Sequence, residues 1–295
     1  MSSNRPIGIL DSGFGGLSVA RAIRAAIPNE DLVFAADCAY APYGDNSSEY
    51  IQARLEHVVS FLLAQQVKAL VFACNTATAV GIRAFRARLS MPIIGIEPAV
   101  FPALRHTRTG HIGVLATCRT IESQKYADVR HRAIEWAEVS RPMPVTVWDV
   151  PCPGLMECVE RGDFDSANVH ELLVRYVDPL TAHNVDEIVL GCTHYPFLAN
   201  AIAKHAPKAT LIDPAPAVAQ QLERRLAALD LATPQTAPGT ERFFASGADA
   251  AREAVLRTLF RRGSGEIPTH SQPHKEQELR GFRQGYSKRQ TDRLK

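Results

Sequence analysis

The chain has 295 residues, of which 46% are hydrophobic and 22% charged, and 33 Lys plus Arg stand against 31 Asp plus Glu for a formal net charge of +2. This is the composition of a soluble globular chain of about two domains; no run approaches the roughly 20 continuous apolar residues of a membrane helix, and the charge is too small to draw the body of the chain to nucleic acid. Residues 1–6 lack the apolar stretch of a signal peptide, which predicts a cytoplasmic protein.

Short apolar runs then alternate with helical patterns. Residues 7–10 predict a strand, 15–27 a helix, 32–36 a strand, 47–65 a helix, 69–73 a strand, 76–89 a helix, and 93–96 a strand ending at Glu97-Pro98. A second series follows: strand 112–115, helix 119–137, strand 145–149, helix 167–182, strand 187–190 and helix 196–205. The last series has strand 210–212, helix 216–229, strand 242–245 and helix 249–260. Apolar strands between amphipathic helices imply an α/β fold, with parallel sheets covered on both faces. Ligands in such folds lie beyond the carboxyl ends of the strands. From residue 266 onward the chain is polar, modestly basic and aperiodic, so it reads as a disordered, solvated tail rather than a nucleic-acid-binding segment.

The six cysteines, Cys38, Cys74, Cys118, Cys152, Cys158 and Cys192, form no C-x-x-C pair, which argues against a disulfide framework in a cytosolic chain. By default each is a small buried hydrophobe. Two stand out. Leu70-Val71-Phe72-Ala73-Cys74-Asn75-Thr76 is echoed by Ile188-Val189-Leu190-Gly191-Cys192-Thr193-His194. Each is an apolar strand, a small residue, a Cys and two polar residues that lead into a helix. The echo suggests two similar lobes, each presenting one thiol.

A thiol there faces helix amides, which favour the thiolate. Lowering its pKa from about 8.5 to about 7 takes roughly 2 kcal/mol, and a helix terminus supplies about 0.3–1 kcal/mol. A second helper is needed, and Asp11 and His194 are the candidates. Two acid/base groups flanking one carbon can invert a stereocentre, one abstracting a proton while the other donates. Asp11-Ser12-Gly13-Phe14-Gly15-Gly16 is a glycine-rich turn, but Ser18 stands where G-x-G-x-x-G requires its last glycine, so a nicotinamide site is not expected. Pro42-Tyr43-Gly44 is either a plain turn or a source of amides for a carboxylate. Asn75, Thr76 and Thr193 can cap helices or bind a substrate carboxylate. A thiol hydrolase or transferase using Cys192 with His194 explains one of the two Cys segments and leaves the Cys74 segment idle; a small-molecule sensor on the same fold is a non-enzymatic alternative. A metal held by Cys192 and His194 falls short of the usual zinc ligand count.

Five segments together resemble the glutamate racemases of bacterial cell-wall synthesis: residues 9–17 (ILDSGFGGL), 41–44 (APYG), 73–77 (ACNTA), Val159-Glu160 and 191–196 (GCTHYP). The resemblance implies an α/β fold of two lobes with the site between them. Residues 1–97 plus 210–265 would make one lobe and 98–209 the other. It implies Cys74 and Cys192 as the proton-transfer pair, assisted by Asp11 and His194, with Glu160 in the outer network. Ser12, Asn75, Thr76 and Thr193 would bind the amino and α-carboxylate groups of glutamate. Pro42, Tyr43 and Gly44 would hold its side-chain carboxylate, and Thr117 would also touch the ligand. It further implies no cofactor, no metal and a homodimer; a racemase for aspartate shares the same two-thiol logic. The chain departs from the family pattern at Cys38-Ala39-Tyr40, where Thr/Ser-x-Arg is usual, and at Asp213-Pro214-Ala215.

Overall fold

A computed structural model describes residues 3–247 and 250–261. The tail read from residue 266 lies outside the described residues. Five parallel strands form one sheet: β1 (Ile7–Asp11), β2 (Leu32–Ala36), β3 (Ala69–Phe72), β4 (Ile93–Gly95) and, returning from the far end of the chain, β9 (Glu241–Ala245), in the order β4-β3-β1-β2-β9. The second sheet holds β5 (His111–Ala116), β6 (Thr146–Pro151), β7 (Glu187–Leu190) and β8 (Thr210–Ile212), in the order β6-β5-β7-β8 and again parallel. Strands β1, β2, β3 and β7 are buried along their whole length, as their unbroken apolar runs require.

Thr210–Ile212 pairs with β7. The return to the first sheet therefore begins after Ile212, not at residue 210 as the sequence suggested, because the strand completes the second sheet before the chain crosses.

The helices begin where side chains can satisfy free backbone amides. Helix α1 (Leu17–Ala26) follows the glycine turn. Ser47 caps α2 (Ser48–Ala64), and Cys74 caps α3 (Asn75–Arg88). The short α4 (Val100–His106) carries the chain into the second sheet. The helix expected over 119–137 is two, α5 (Cys118–Ile121) and α6 (Gln124–Ser140), because Ser123 caps a new start. Helix α7 (Leu155–Glu160), absent from the sequence reading, follows β6. The helix expected over 167–182 breaks into α8 (Ala167–Tyr176) and α9 (Asp178–Ala182), since Pro179 has no amide to continue the ladder. A 3-10 turn (Tyr195–Leu198) leads into α10 (Ala199–His205). Finally α11 (Ala215–Ala228) and α12 (Ala250–Arg261) cover the first sheet beside α1.

One apolar cluster joins the two halves. It runs from Ile9, Phe14 and Leu17 through Leu115 and Leu155 to Tyr195, Ala215 and Leu222, all buried. Among the described residues no helix is long and apolar enough to cross a membrane.

Candidate active site

The carboxyl ends of both sheets meet at one cavity. Asp11 is the last residue of β1, Cys74 lies two residues beyond β3, Thr117 one beyond β5 and Cys192 two beyond β7. From the first half, Ser12, Tyr43, Gly44, Cys74, Asn75 and Thr76 line the cavity. From the second come Thr117, Thr120, Met156, Gly191, Cys192, Thr193 and His194. Ten of the residues named from sequence thus converge on one cavity. Asp11, Pro42 and Glu160 are not among the lining residues, and Glu160 meets the cavity only through His194. The cavity measures about 20 Å³ to the centres of water-sized molecules, the room of roughly one or two waters.

Cys74 caps α3. Its sulfur accepts the Ala77 N–H at 3.4 Å and lies 3.6 Å from Ser12 Oγ. Those contacts favour the thiolate, but burial and the neighbouring Asp11 carboxyl outweigh them and push the thiol up to about 12. Asp11 itself is buried. Its Oδ2 accepts the amides of Gly16 at 2.8 Å and Gly13 at 3.4 Å, and its buried Oδ1 has no hydrogen-bond partner among the described residues. Burial raises this carboxyl above its ordinary range, against the pull of His194 and the Gly16 amide.

Cys192 is set differently. The chain turns through Thr193 and His194 into a 3-10 turn, so the helix amides expected at both sulfurs face only Cys74. The partner of Cys192 is His194, whose Nδ1 lies 3.6 Å from Sγ. On its other side His194 Nε2 meets Glu160 Oε1 at 2.7 Å, and the same oxygen accepts the Phe14 N–H at 2.6 Å. Burial alone would lower the imidazole, but its bonds to Cys192 and Glu160 win and raise it well above its ordinary value. Burial would raise Glu160, but the bond to His194 and the Phe14 amide hold it below the usual range. The Gly15 N–H also faces Nε2 at 3.1 Å. One ring nitrogen cannot accept from an amide and donate to a carboxylate at once, and an ionised Glu160 selects the form with the proton on Nε2.

The glycine turn is narrow because the second half presses against it. A Cβ on Gly13 would collide with the Glu160 carboxyl, and one on Gly15 with the His194 ring. Ser18, which breaks the nucleotide fingerprint, donates to Gly15 O at 2.9 Å and Thr193 O at 3.0 Å, tying α1 to the Cys192 turn.

The remaining lining is uncharged, and its polar members are Ser12, Asn75, Thr76, Thr117, Thr120 and Thr193, with Met156 and the Tyr43 ring as apolar surface. Asn75 is buried with both side-chain polar atoms unpartnered among the described residues, an unmade pair of hydrogen bonds that a ligand can supply. Thr76 Oγ1 and Thr117 Oγ1 approach to 3.4 Å across the cleft, and Thr117 Oγ1 lies 3.0 Å from Thr120 Oγ1. The Ala41–Pro42 peptide is cis, and Pro42 O accepts from the Asn46 side chain at 2.7 Å. Tyr43 presents its ring, while its hydroxyl donates to the buried Asp37 at 2.7 Å. Neither Lys nor Arg lines the cavity. Among the described residues no group of three or more His, Cys, Asp or Glu is arranged to hold a metal.

The sequence reading names neither Thr120 nor Met156 as a site residue, and Gly191 only as the small residue before Cys192. The Thr117-x-x-Thr120 spacing of a capped helix start could have revealed the first. Nothing local marks Met156, which only the position of α7 brings to the cavity.

Residues 15–222 match the Asp/Glu/hydantoin racemase family. The glutamate racemase of Ectopseudomonas mendocina (strain ymp) is 46% identical over 259 residues, covering 87% of this chain and 95% of that one. The glutamate racemase of Francisella tularensis subsp. tularensis SCHU S4, solved in complex with D-glutamate, superposes with a TM-score of 0.74 at 29% identity, covering 87% and 94% of the two chains. The Escherichia coli glutamate racemase, solved with L-glutamate and the activator UDP-MurNAc-ala, gives 0.75 at 28% identity, covering 86% and 94%. The chain belongs to the Asp/Glu/hydantoin racemase family, among its glutamate racemases.

Proposed function

We propose that this protein interconverts L- and D-glutamate by passing the Cα proton between Cys74 and Cys192, and so supplies D-glutamate for peptidoglycan. One observation carries the reading: two thiols, one from each half of the molecule, line a single cavity, each with a buried ionisable neighbour, Asp11 near Cys74 and His194 beside Cys192. In one direction a thiolate takes the Cα proton, and the electrons of the broken C–H bond pass into the α-carboxylate. The opposite thiol then gives its proton to the other face of that planar carbon. The reverse direction exchanges the roles. Asp11 serves Cys74, and His194, backed by Glu160, serves Cys192. Asn75, Thr76, Thr193 and Ser12 bind the amino and α-carboxylate groups; Thr117 and the Tyr43 and Gly44 amides take the distal carboxylate. The Tyr43 hydroxyl, committed to Asp37, plays no part there.

The cavity is smaller than glutamate, so the halves part to admit it. Residues 3–97 with 213–247 and 250–261 move as one lobe and 98–212 as the other. The same reading carries a cytoplasmic location and a homodimer, the latter checked by sedimentation equilibrium.

The deciding experiment incubates the purified protein with L-glutamate in D₂O without added cofactor. D-glutamate carrying deuterium at Cα is expected, while the remaining L-glutamate stays mostly unlabelled at early times. Absence of both racemisation and Cα exchange would overturn the proposal. L-aspartate in parallel separates a glutamate from an aspartate racemase.

A further inference from the structure

The segment that presents Tyr43 and Gly44 has little regular structure of its own. It comprises two short 3-10 turns, Cys38–Tyr40 and Tyr43–Asp45. A single buried carboxylate, Asp37, holds it. Asp37 Oδ2 accepts from Tyr43 Oη at 2.7 Å and Arg54 Nε at 2.8 Å; Oδ1 accepts from Arg54 Nη2 at 2.9 Å and Ser246 Oγ at 3.0 Å. Ser246 Oγ in turn accepts the Ala39 N–H at 3.0 Å, and the Arg54 guanidinium lies 3.5 Å from the centre of the Tyr40 ring. One carboxylate thus binds α2, the 37–45 segment and the residue after β9 into a unit.

The cavity lining explains why such fixing matters. Neither Lys nor Arg is present there, and the His194 ring is engaged by Cys192 and Glu160, so a second substrate carboxylate at the Tyr43-Gly44 wall meets neutral donors: the amides that head the Tyr43–Asp45 turn, and Thr117, which packs against Gly44. A cation attracts an anion from several directions and distances, whereas a neutral N–H acts only when it is aimed. Affinity then depends on donors already in place.

We infer that Asp37 and Arg54 are positioning residues that hold the Tyr43-Gly44 backbone in register and thereby set the affinity for a substrate bearing a distal carboxylate, without touching it. The inference rests on the reading of the cavity as a glutamate site.

The test is steady-state racemisation of both glutamate enantiomers by Asp37→Asn, Arg54→Lys and Tyr43→Phe. Asp37→Asn is expected to raise KM about tenfold with kcat within about threefold, the scale of losing charge-assisted hydrogen bonds. Arg54→Lys, which keeps the charge but loses the fork, should fall between Asp37→Asn and wild type. A role in folding alone would lower kcat with the folded fraction and leave KM unchanged. If Asp37→Asn does not fold, Tyr43→Phe decides, since it keeps the ring and the Asp37–Arg54 pair. A raised KM there supports the inference, and a wild-type KM overturns it. Wild-type KM in a folded Asp37→Asn protein overturns it equally. Failure of the wild-type protein to racemise glutamate removes the underlying reading instead, so the two failures are distinct.

Discussion

The turns around Cys74 and Cys192 begin from nearly the same sequence pattern and end in different electrostatic settings. Cys74 sits at a helix start with an amide and a serine hydroxyl on its sulfur, yet burial and Asp11 keep its proton on. Cys192 has no α-helix behind it and leans on an imidazole that Glu160 holds from the far side. Two like groups can therefore do mirrored work with unlike helpers, a carboxyl on one side and an imidazole–carboxylate pair on the other.

The sharpest way to break that comparison is to remove either sulfur. Cys74→Ala and Cys192→Ala should each cut racemisation by about 10³-fold or more in a chiral assay, because neither face can be served by the opposite thiol. The helpers come next. Glu160→Gln removes one charged hydrogen bond from His194, worth ~1.5–3 kcal/mol, and should lower kcat roughly 10- to 100-fold. It should also move the alkaline limb of the pH–rate profile toward acid, since the carboxylate is one of the groups that hold the imidazole up. His194 gains affinity for its proton on folding. Its contribution to stability is full below about pH 6.5 and fades as pH rises through the raised folded value. A His194→Asn protein compared with wild type by thermal melting across pH should show the gap closing on the alkaline side.

Gly15→Ala probes the contact between the halves. The new methyl meets the His194 ring, and overpacking of this kind costs about 1–3 kcal/mol. Lower Tm and lower kcat are expected together.

The smallest effect has the opposite sign. Burial raises Asp11, so the group favours folding below its ordinary carboxyl range and loses that contribution as pH climbs through the folded value. At neutral pH its charge is a burden, and Asp11→Asn should raise Tm by about 2 °C while slowing the enzyme. An unchanged or lower Tm would show that the Gly13 and Gly16 amides fully compensate the buried charge.

How far the sequence foretold this arrangement differs from place to place. Strands β2 and β7 match their expected bounds, and β1 and β3 lie within one residue, because a buried parallel strand leaves an unbroken apolar run. Helix α7 carries Glu160 yet went unread. Its six residues span fewer than two turns, too short for a period, and Gly154 at φ 92 opens it without a side-chain cap. The breaks at Ser123 and Pro179 had visible signals that the surrounding helical period masked. At the cavity, residue types and spacing singled out the thiols. Whether Tyr43 offers its hydroxyl or its backbone depended on Asp37, six residues away and unremarkable in sequence.

The pairing of β9 with β2 bears on how the protein is made. Ala36 must wait about 200 residues of synthesis before Ala245 emerges to lie beside it. The second sheet, by contrast, is complete within residues 111–212. On the ribosome the middle of the chain can close first, while the opening strands keep a bare edge on offer to any passing strand. Loss of everything from Glu241 onward would make that exposure permanent, so a nonsense mutation ahead of β9 would show as aggregation rather than as reduced turnover.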